Sequence, residues 1–231
     1  MRICGFQKTT LLDFPGHVAA TVFTGGCNFR CPFCHNAGLV LDPERQSAIP
    51  EEEVLAHLRK RRGMLEGVCI TGGEPTLQPD LAGFIGKLKE LGYLVKLDTN
   101  GYRPHVLQEL IETKLVDYVA MDVKASVKNY PRACGCAGMD VARIEESIAI
   151  LKSGSVPYEF RTTVVDGIHT VEEFESISRL LEGSSAYYLQ GFEESENVMQ
   201  EGFRAFPAET MERMAEIARK HIDKVEIRGV G

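Results

Sequence analysis

The sequence of 231 residues contains no run of about 18 apolar residues, the length that a helix needs to cross a membrane. Its first ten residues contain no apolar stretch of the kind that a secretory signal requires. We therefore expect a cytoplasmic protein with no membrane contact. The formal net charge of -7 argues against general affinity for nucleic acid, although it is also compatible with a merely solvated surface.

The chain also lacks low-complexity segments and close internal repeats. Short β-branched runs instead alternate with amphipathic helical patterns, and 44% apolar residues suffice for a sizeable core. The strands are predicted at 17–23, 67–71, 93–99, 116–124, 157–165 and 186–192. The helices are predicted at 50–61, 79–91, 103–113, 140–151, 171–181 and 208–222. This alternation predicts a parallel sheet with helices outside it, and leaves open a partial barrel or a doubly wound sheet.

Polar residues recur where these predicted strands end. Ligands of parallel βα folds bind at the carboxyl ends of the strands, so the joint placement indicates a site there. The residues in question are Cys27, Cys31 and Cys34, the "GGEP" segment 72–75, "DTNG" 98–101, "MDVK" 121–124, Arg161 and Gln190.

Seven cysteines, an odd number, argue for metal or redox chemistry over a disulfide framework. Three of them are clustered in "GGCNFRCPFCHN" with the spacing Cys27-x3-Cys31-x2-Cys34. Thiolates favour zinc and iron–sulfur clusters, and three of them on a [4Fe–4S] cluster leave one iron open. The spacing leaves two alternatives: a redox pair of Cys31 and Cys34, and a zinc site completed by one of the residues His35, Cys4 and Cys69.

The cysteine spacing, with Phe33 before the last cysteine, resembles the signature of the radical S-adenosylmethionine superfamily, and "TGGEP" resembles its methionine-binding motif. The stretch from "GFQKTTLLDFPGH" to "CPFCHN" is similar to activating proteins of anaerobic ribonucleoside-triphosphate reductases. So are "DTNG", "MDVK", "YYLQGF" and "VEIRG", and the resemblance covers nearly the whole chain. It implies an α/β fold, a partial (β/α)6 parallel barrel, as a single domain over residues 1–231. The segment "RACGCAGM" (132–139), with Cys134 and Cys136, is not part of the resemblance.

The resemblance implies a [4Fe–4S] cluster on Cys27, Cys31 and Cys34, with S-adenosylmethionine as cosubstrate. Gly72 and Gly73 would let the backbone approach the methionine amino group, and Glu74 would accept from it. The other side chains implied in cosubstrate binding are Phe33, Asp98, Asn100, Asp122, Lys124, Arg161 and Gln190. Structural alternatives exist for several of them, namely ion pairs for Lys124 and Arg161, plain packing for Phe33 and a turn for Asn100.

The implied partner is a glycyl-radical enzyme, an anaerobic ribonucleoside-triphosphate reductase, with a one-electron donor such as flavodoxin or ferredoxin. Other glycyl-radical enzymes remain open as partners, because activases of pyruvate formate-lyase share "DTNG". A small-molecule radical enzyme such as 7-carboxy-7-deazaguanine synthase is one alternative. An iron–sulfur electron carrier or a zinc-binding interaction protein is another.

Overall fold

The computed structural model describes residues 1–195 and 198–229. The described residues form two compact units. The first unit comprises Met1–Asn28, Asn36–Thr99 and His105–Ala120, and the second comprises Phe29–His35, Asn100–Pro104 and the described residues from Met121 onward. Within each unit, hydrogen-bonded neighbours in the sheet follow the chain order.

The first unit contains the strands β1 (Ile3–Thr10), β2 (Ala19–Thr24), β3 (Gly67–Gly72) and β4 (Leu94–Thr99). Strand β1 runs antiparallel to β2, whereas β2, β3 and β4 are parallel. The helices here are α1 (Ala37–Leu41), α2 (Glu51–Lys60), α3 (Leu81–Glu90) and α4 (Pro104–Glu112). Thr24 pairs with Gly72, so the carboxyl ends of β2 and β3 meet in register.

Helix α2 shows why these segments fold as they do. Three glutamates occupy its first turn and basic residues its last, as the helix dipole favours. Its buried face consists of Val54, Leu55 and Leu58, which lie at helical spacing and pack into the core.

The strand β5 (Tyr118–Asp122) ends in the second unit, which also contains β6 (Tyr158–Val164), β7 (Tyr187–Gly191) and β8 (Val225–Arg228). Strands β6, β7 and β8 are parallel. The helices of this unit are α5 (Tyr130–Ala133), α6 (Ala142–Lys152), α7 (Glu173–Leu180) and α8 (Ala208–Ala218). Buried residues such as Phe160, Leu189 and Phe174 fill its core.

The six predicted strands and six predicted helices are all present, with shifts of a few residues at their ends. The sequence reading missed β1 and β8. Strand β1 carries Gly5, Gln7 and Lys8 and is partly exposed, so it shows no apolar alternation, and β8 has only four residues. Within residues 1–195 and 198–229, no helix has the length and apolar character to span a membrane. The single-domain assignment over 1–231 stays a prediction.

Candidate active site

In the first unit, the glycine pair that precedes Cys27 is hydrogen-bonded to the "GGEP" turn. The Glu74 amide donates to the Gly26 carbonyl at 2.8 Å, and the Gln78 side chain donates to the Gly25 carbonyl at 2.8 Å. A Cβ on Gly73 would lie 2.0 Å from the Gly26 carbonyl oxygen. This close approach of two backbones explains why residue 73 must be glycine.

Gly72 lies at the end of β3 with φ +117, and a Cβ there would lie 2.3 Å from the Thr24 amide nitrogen. The space beside both glycines is therefore filled by protein backbone, which gives them a packing role that the sequence reading did not identify. On the other flank of the cysteines, the Asn36 side chain donates to the Gly72 carbonyl at 3.1 Å. The turn thus contacts the chain both before and after the cysteine motif.

Glu74 is 1% exposed, and its buried carboxylate stabilises the turn through hydrogen bonds. Its Oε1 accepts hydrogen bonds from the Thr76 amide at 3.0 Å, from the Thr76 hydroxyl and from the Thr99 hydroxyl at 2.8 Å. Thr99 ends β4, so this carboxylate joins the turns that follow β3 and β4. Its predicted contact with the cosubstrate ammonium stays a prediction.

We expect Thr99→Val to lower the free energy of unfolding by about 1.5–3 kcal/mol, because a hydrogen bond to a buried carboxylate is lost. The urea midpoint of the variant measures this change. Thr9→Val is the matched control, since Thr9 is an exposed residue of β1. Equal midpoints for the two variants would show that the bond to Glu74 contributes nothing to stability.

Asp98, the second acidic candidate of the first unit, is paired with a lysine that the sequence reading missed. Lys96 Nζ contacts Asp98 Oδ1, and the Lys96 side chain is only 2% exposed. Lys96 Nζ also lies 3.9 Å from Cys69 Sγ. Lys96 and Asp98 share one face of β4 because they are two positions apart. A lysine inside an apolar strand was the signal that could have revealed this pair.

In the second unit, Asp122 lies between two cations. Lys124 Nζ is 3.0 Å from Asp122 Oδ2, and Arg161 Nε is 2.9 Å from Asp122 Oδ1. We call these three residues the charged triad. Asp122 and Lys124 do point the same way, as their spacing predicted, and the ion pairs given as structural alternatives are present. Two cations against one carboxylate leave the charged triad with a net positive charge.

Electrostatics within the charged triad follow from this geometry. Burial alone would raise the pKa of the Asp122 carboxyl, but Arg161 and Lys124 outweigh it and hold that pKa well below its usual range. Burial alone would lower the pKa of Lys124, whereas the negative charges of Asp122 and Cys31 raise it above its usual range. The ammonium of Lys124 is therefore charged at neutral pH and attracts a thiolate at Cys31.

Residues 29–35, which we call the cysteine loop, carry Cys31 and Cys34. The Cys34 amide donates to the Cys31 carbonyl at 3.0 Å, which makes a tight turn between the two thiols. Phe33 is 4% exposed, and its ring meets the ring of His169 edge-on at 6.4 Å. This packing contact is the structural alternative that the sequence left open for Phe33.

His169 is a further residue that the sequence reading missed. It is 3% exposed, its Nε2 donates to the Lys124 carbonyl at 2.8 Å, and its Nδ1 accepts from the Val165 amide at 3.0 Å. These two bonds require the neutral ring with the proton on Nε2. Burial lowers the pKa of His169, which keeps the ring neutral. Its position in a loop gave no periodic signal.

Within residues 1–195 and 198–229, no cysteine forms a disulfide. Cys69 is fully buried in β3, as its strand context predicted. Among the residues that the structure describes, no three His, Cys, Asp or Glu side chains converge as ligands of a single metal ion. Ligands of a [4Fe–4S] cluster need not converge on a single point, because each thiolate binds a different iron. The ligand role of Cys27, Cys31 and Cys34 stays a prediction.

The two remaining candidates, Asn100 and Gln190, belong to the second unit. Asn100 Oδ1 accepts from the Tyr102 amide at 3.0 Å, which is the turn contact that its sequence predicted as an alternative. Gln190 is the penultimate residue of β7, is half-buried and pairs in register with Arg228 of β8. The Arg228 guanidinium stacks 3.3 Å above the Tyr188 ring and contacts the buried Glu159 at 3.2 Å. The sequence reading missed Arg228 and Glu159, since no motif marks them.

A family model described as "Radical SAM superfamily" matches residues 21–181 of the chain. The matched region runs from β2 to the end of α7. It includes the three clustered cysteines, the "GGEP" turn and the charged triad, and thus all the proposed site residues except Gln190.

Two curated relatives extend the comparison. A protein of Methanocaldococcus jannaschii named as a glycyl-radical enzyme activating enzyme is 34% identical over 235 aligned positions, which cover 99% of this chain and 96% of the relative. The 7-carboxy-7-deazaguanine synthase of Thermococcus kodakarensis is 30% identical over 186 positions, with coverages of 71% and 70%.

Among solved structures, SuiB of Streptococcus suis bound to S-adenosylmethionine matches with a TM-score of 0.70 and 15% identity. The match covers 89% of this chain and 49% of the SuiB chain, so this chain spans about half the length of that structure. Identity this low shows the fold alone. It confirms the predicted α/β fold with a parallel sheet of the partial-barrel type.

Proposed function

The chain belongs to the radical SAM superfamily, whose enzymes use a [4Fe–4S] cluster and S-adenosylmethionine, and on that premise we propose that it is a glycyl-radical enzyme activase. The reaction cleaves S-adenosylmethionine reductively to methionine and a 5′-deoxyadenosyl radical. That radical takes a hydrogen atom from a glycine Cα of a partner protein and becomes 5′-deoxyadenosine. The observation that carries the proposal is the similarity to the Methanocaldococcus jannaschii activating enzyme over nearly the full length of both chains.

The donor set of the chain fits an iron–sulfur cluster. Three cysteines lie within eight positions and form no disulfide, and thiolates are the ligands that such clusters use. We propose Cys27, Cys31 and Cys34 as the ligands, with the remaining iron open to the cosubstrate.

When bound, the cluster supplies the electron that breaks the sulfonium carbon–sulfur bond. The protein's own residues bind and orient S-adenosylmethionine. In our proposal the net positive charge of Asp122, Lys124 and Arg161 attracts the carboxylate of the methionine moiety. The turn at Gly72, Gly73 and Glu74 is fixed by backbone contacts and offers a rigid edge for the amino group. The other side chains that we propose for cosubstrate binding are Phe33, Asp98, Asn100 and Gln190.

We further propose that the partner is an anaerobic ribonucleoside-triphosphate reductase. The support is the sequence resemblance in the segments "DTNG", "MDVK", "YYLQGF" and "VEIRG". A glycine is suited to hold the radical, since the flanking amides delocalise the unpaired electron at its Cα. An electron donor such as flavodoxin or ferredoxin would reduce the cluster.

The test is an anaerobic incubation of the reconstituted protein with S-adenosylmethionine, a reductant and the reductase encoded in the same genome. We expect slow cleavage without the reductase, and faster cleavage with an organic radical on the reductase when both are present. Electron paramagnetic resonance detects that radical. Replacement of the reductase's radical-bearing glycine by alanine should remove the signal, because a Cβ crowds the planar Cα.

The similarity to the Thermococcus kodakarensis synthase supports a second candidate, a small-molecule radical enzyme. The same incubation separates the two functions. Conversion of a small heterocyclic substrate, with no radical on any protein, would contradict the activase proposal and favour the synthase. A radical on a different glycyl-radical enzyme would keep the activase and replace the proposed partner.

A further inference from the structure

The segment "YPRACGC", residues 130–136, contacts the cysteine loop although the sequence resemblance does not include it. The Arg30 amide donates to the Cys134 carbonyl at 2.8 Å. Arg30 immediately precedes Cys31, so this hydrogen bond acts one residue away from a proposed cluster ligand.

Gly135 makes the closest approach to the loop. A Cβ at this position would lie 2.0 Å from the Arg30 carbonyl oxygen and 2.7 Å from its carbon. Gly135 also has φ +66, a conformation that side chains rarely adopt. Any other residue here would push the backbone of Arg30, and Cys31 with it.

The segment 130–136 is held by its own hydrogen bonds, so it can fix the position of Arg30. The Cys134 amide donates to the Tyr130 carbonyl at 2.9 Å and the Cys136 amide to the Pro131 carbonyl at 3.0 Å, which closes a single helical turn. Cys134 is fully buried, with Sγ 3.1 Å from Met139 Sδ. Burial raises the pKa of the Cys134 thiol to about 11, so it remains a protonated packing group at neutral pH.

A second segment holds the cysteine loop at its other end. The Gln200 amide donates to the Pro32 carbonyl at 2.9 Å. His35 Nε2 donates to the Glu193 carbonyl at 2.6 Å, and its ring stacks on Phe192 with 5.1 Å between centroids. The carbonyl of Pro32 and the side chain of His35 are therefore fixed independently of Arg30.

We propose that Gly135 is a positioning residue for the cluster: its contact with Arg30 sets the conformation in which Cys31 and Cys34 accept iron. The inference rests on the proposed function only for the identity of the bound group. Because Pro32 and His35 are held separately, a shifted Arg30 displaces Cys31 between them and weakens the bond of Cys31 to the cluster. When a contact that orients a metal ligand is lost, metal affinity typically falls by about 10–100-fold.

The variant that tests the proposal is Gly135→Ala, with anaerobic reconstitution and measurement of iron, sulfide and visible absorption. We expect affinity for iron to fall about tenfold or more, with a changed resonance spectrum of the reduced cluster. Two matched controls should keep the cluster. Gly138→Ala changes a residue of the same loop with open space around it, and Gly154→Ala changes a residue with φ +78 and open space.

Gly135→Asn distinguishes two causes of cluster loss, the contact of a Cβ with Arg30 and the backbone strain at positive φ. Asparagine tolerates positive φ but has a Cβ. If the contact with Arg30 matters, Gly135→Asn should lose the cluster as alanine does. Recovery of the cluster in Gly135→Asn would show that only backbone strain was involved and would overturn the proposal.

Amide exchange of the cluster-free natural protein gives a test that needs no variant to fold. The Arg30 amide should be protected, and in Gly135→Ala it should exchange faster while the amides of β6 stay protected. An Arg30 amide that exchanges at the rate of an unstructured chain contradicts the proposal, and so does a fully loaded Gly135→Ala with an unchanged spectrum. If the natural protein itself takes up no cluster, the proposed function fails instead.

Discussion

Replacement of Cys31 by alanine is expected to abolish reductive cleavage of S-adenosylmethionine and to leave a folded protein. The loss should be complete because one missing thiolate leaves a cluster iron without its protein ligand. The same outcome is expected for Cys27→Ala and Cys34→Ala. Iron content and formation of 5′-deoxyadenosine, measured after anaerobic reconstitution, check the prediction. Any of the three variants that retains full activity would exclude that residue from the site.

Cys69→Ala is the matched control for the cysteine series. Cys69 is a fully buried thiol of β3, so its loss should leave the cluster intact and reduce stability by about 1 kcal/mol. Loss of the cluster in this variant would instead indicate a fourth protein ligand. Cys4 deserves the same comparison, because its thiol packs against Gly25, two residues before Cys27.

Lys124→Ala is expected to weaken S-adenosylmethionine binding by about one to two orders of magnitude, since a charge-assisted contact contributes about 1.5–3 kcal/mol. Iron content should stay normal, because Lys124 is not a ligand in our proposal. Equilibrium binding to the reconstituted protein measures the change. The variant also removes one of the two cations that face Asp122, so the remaining Arg161 pair becomes nearly neutral.

Lys128→Ala is the control for this experiment, because Lys128 lies four residues on and is exposed. It should bind the cosubstrate normally. Unchanged binding in Lys124→Ala, together with a lower unfolding temperature, would show that the charged triad is only a structural ion pair.

The sequence predicted the fold well wherever hydrophobic periodicity was strong. Strand β3 is β-branched and fully buried over most of its length, and helix α2 has a clear apolar face between charged ends. Strand β1 was not predicted, because it is formed by its pairing with β2 and its own residues show no apolar alternation. It pairs antiparallel with β2, and tertiary pairing of this kind leaves little trace in the local sequence.

For the site, the sequence indicated residues but not their contacts. Motif residues such as Glu74 and Asp122 could be named from the sequence, and so could Lys124 and Arg161, but the sequence did not show that Arg161 pairs with Asp122 or Thr99 with Glu74. Thr99 lies 25 positions from Glu74, and Arg161 lies 39 positions from Asp122. The contact of Gly135 with Arg30 joins still more distant segments, and the glycine has no motif around it. Long-range contacts of this type depend on how the chain folds, which local patterns do not encode.

The neutral ring of His169 makes the protein sensitive to acid. In the unfolded chain a histidine takes up a proton near pH 6.5, whereas in the folded protein the pKa of His169 is lower. Below about pH 6.5 the unfolded state therefore binds more protons than the folded state, and the free energy of unfolding falls as the pH falls. Protonation of Nδ1 would also set two N–H donors against each other, His169 and the Val165 amide. Acidification would thus break the hydrogen bond between Nδ1 and the Val165 amide well before Asp122, whose pKa is far lower, gains a proton.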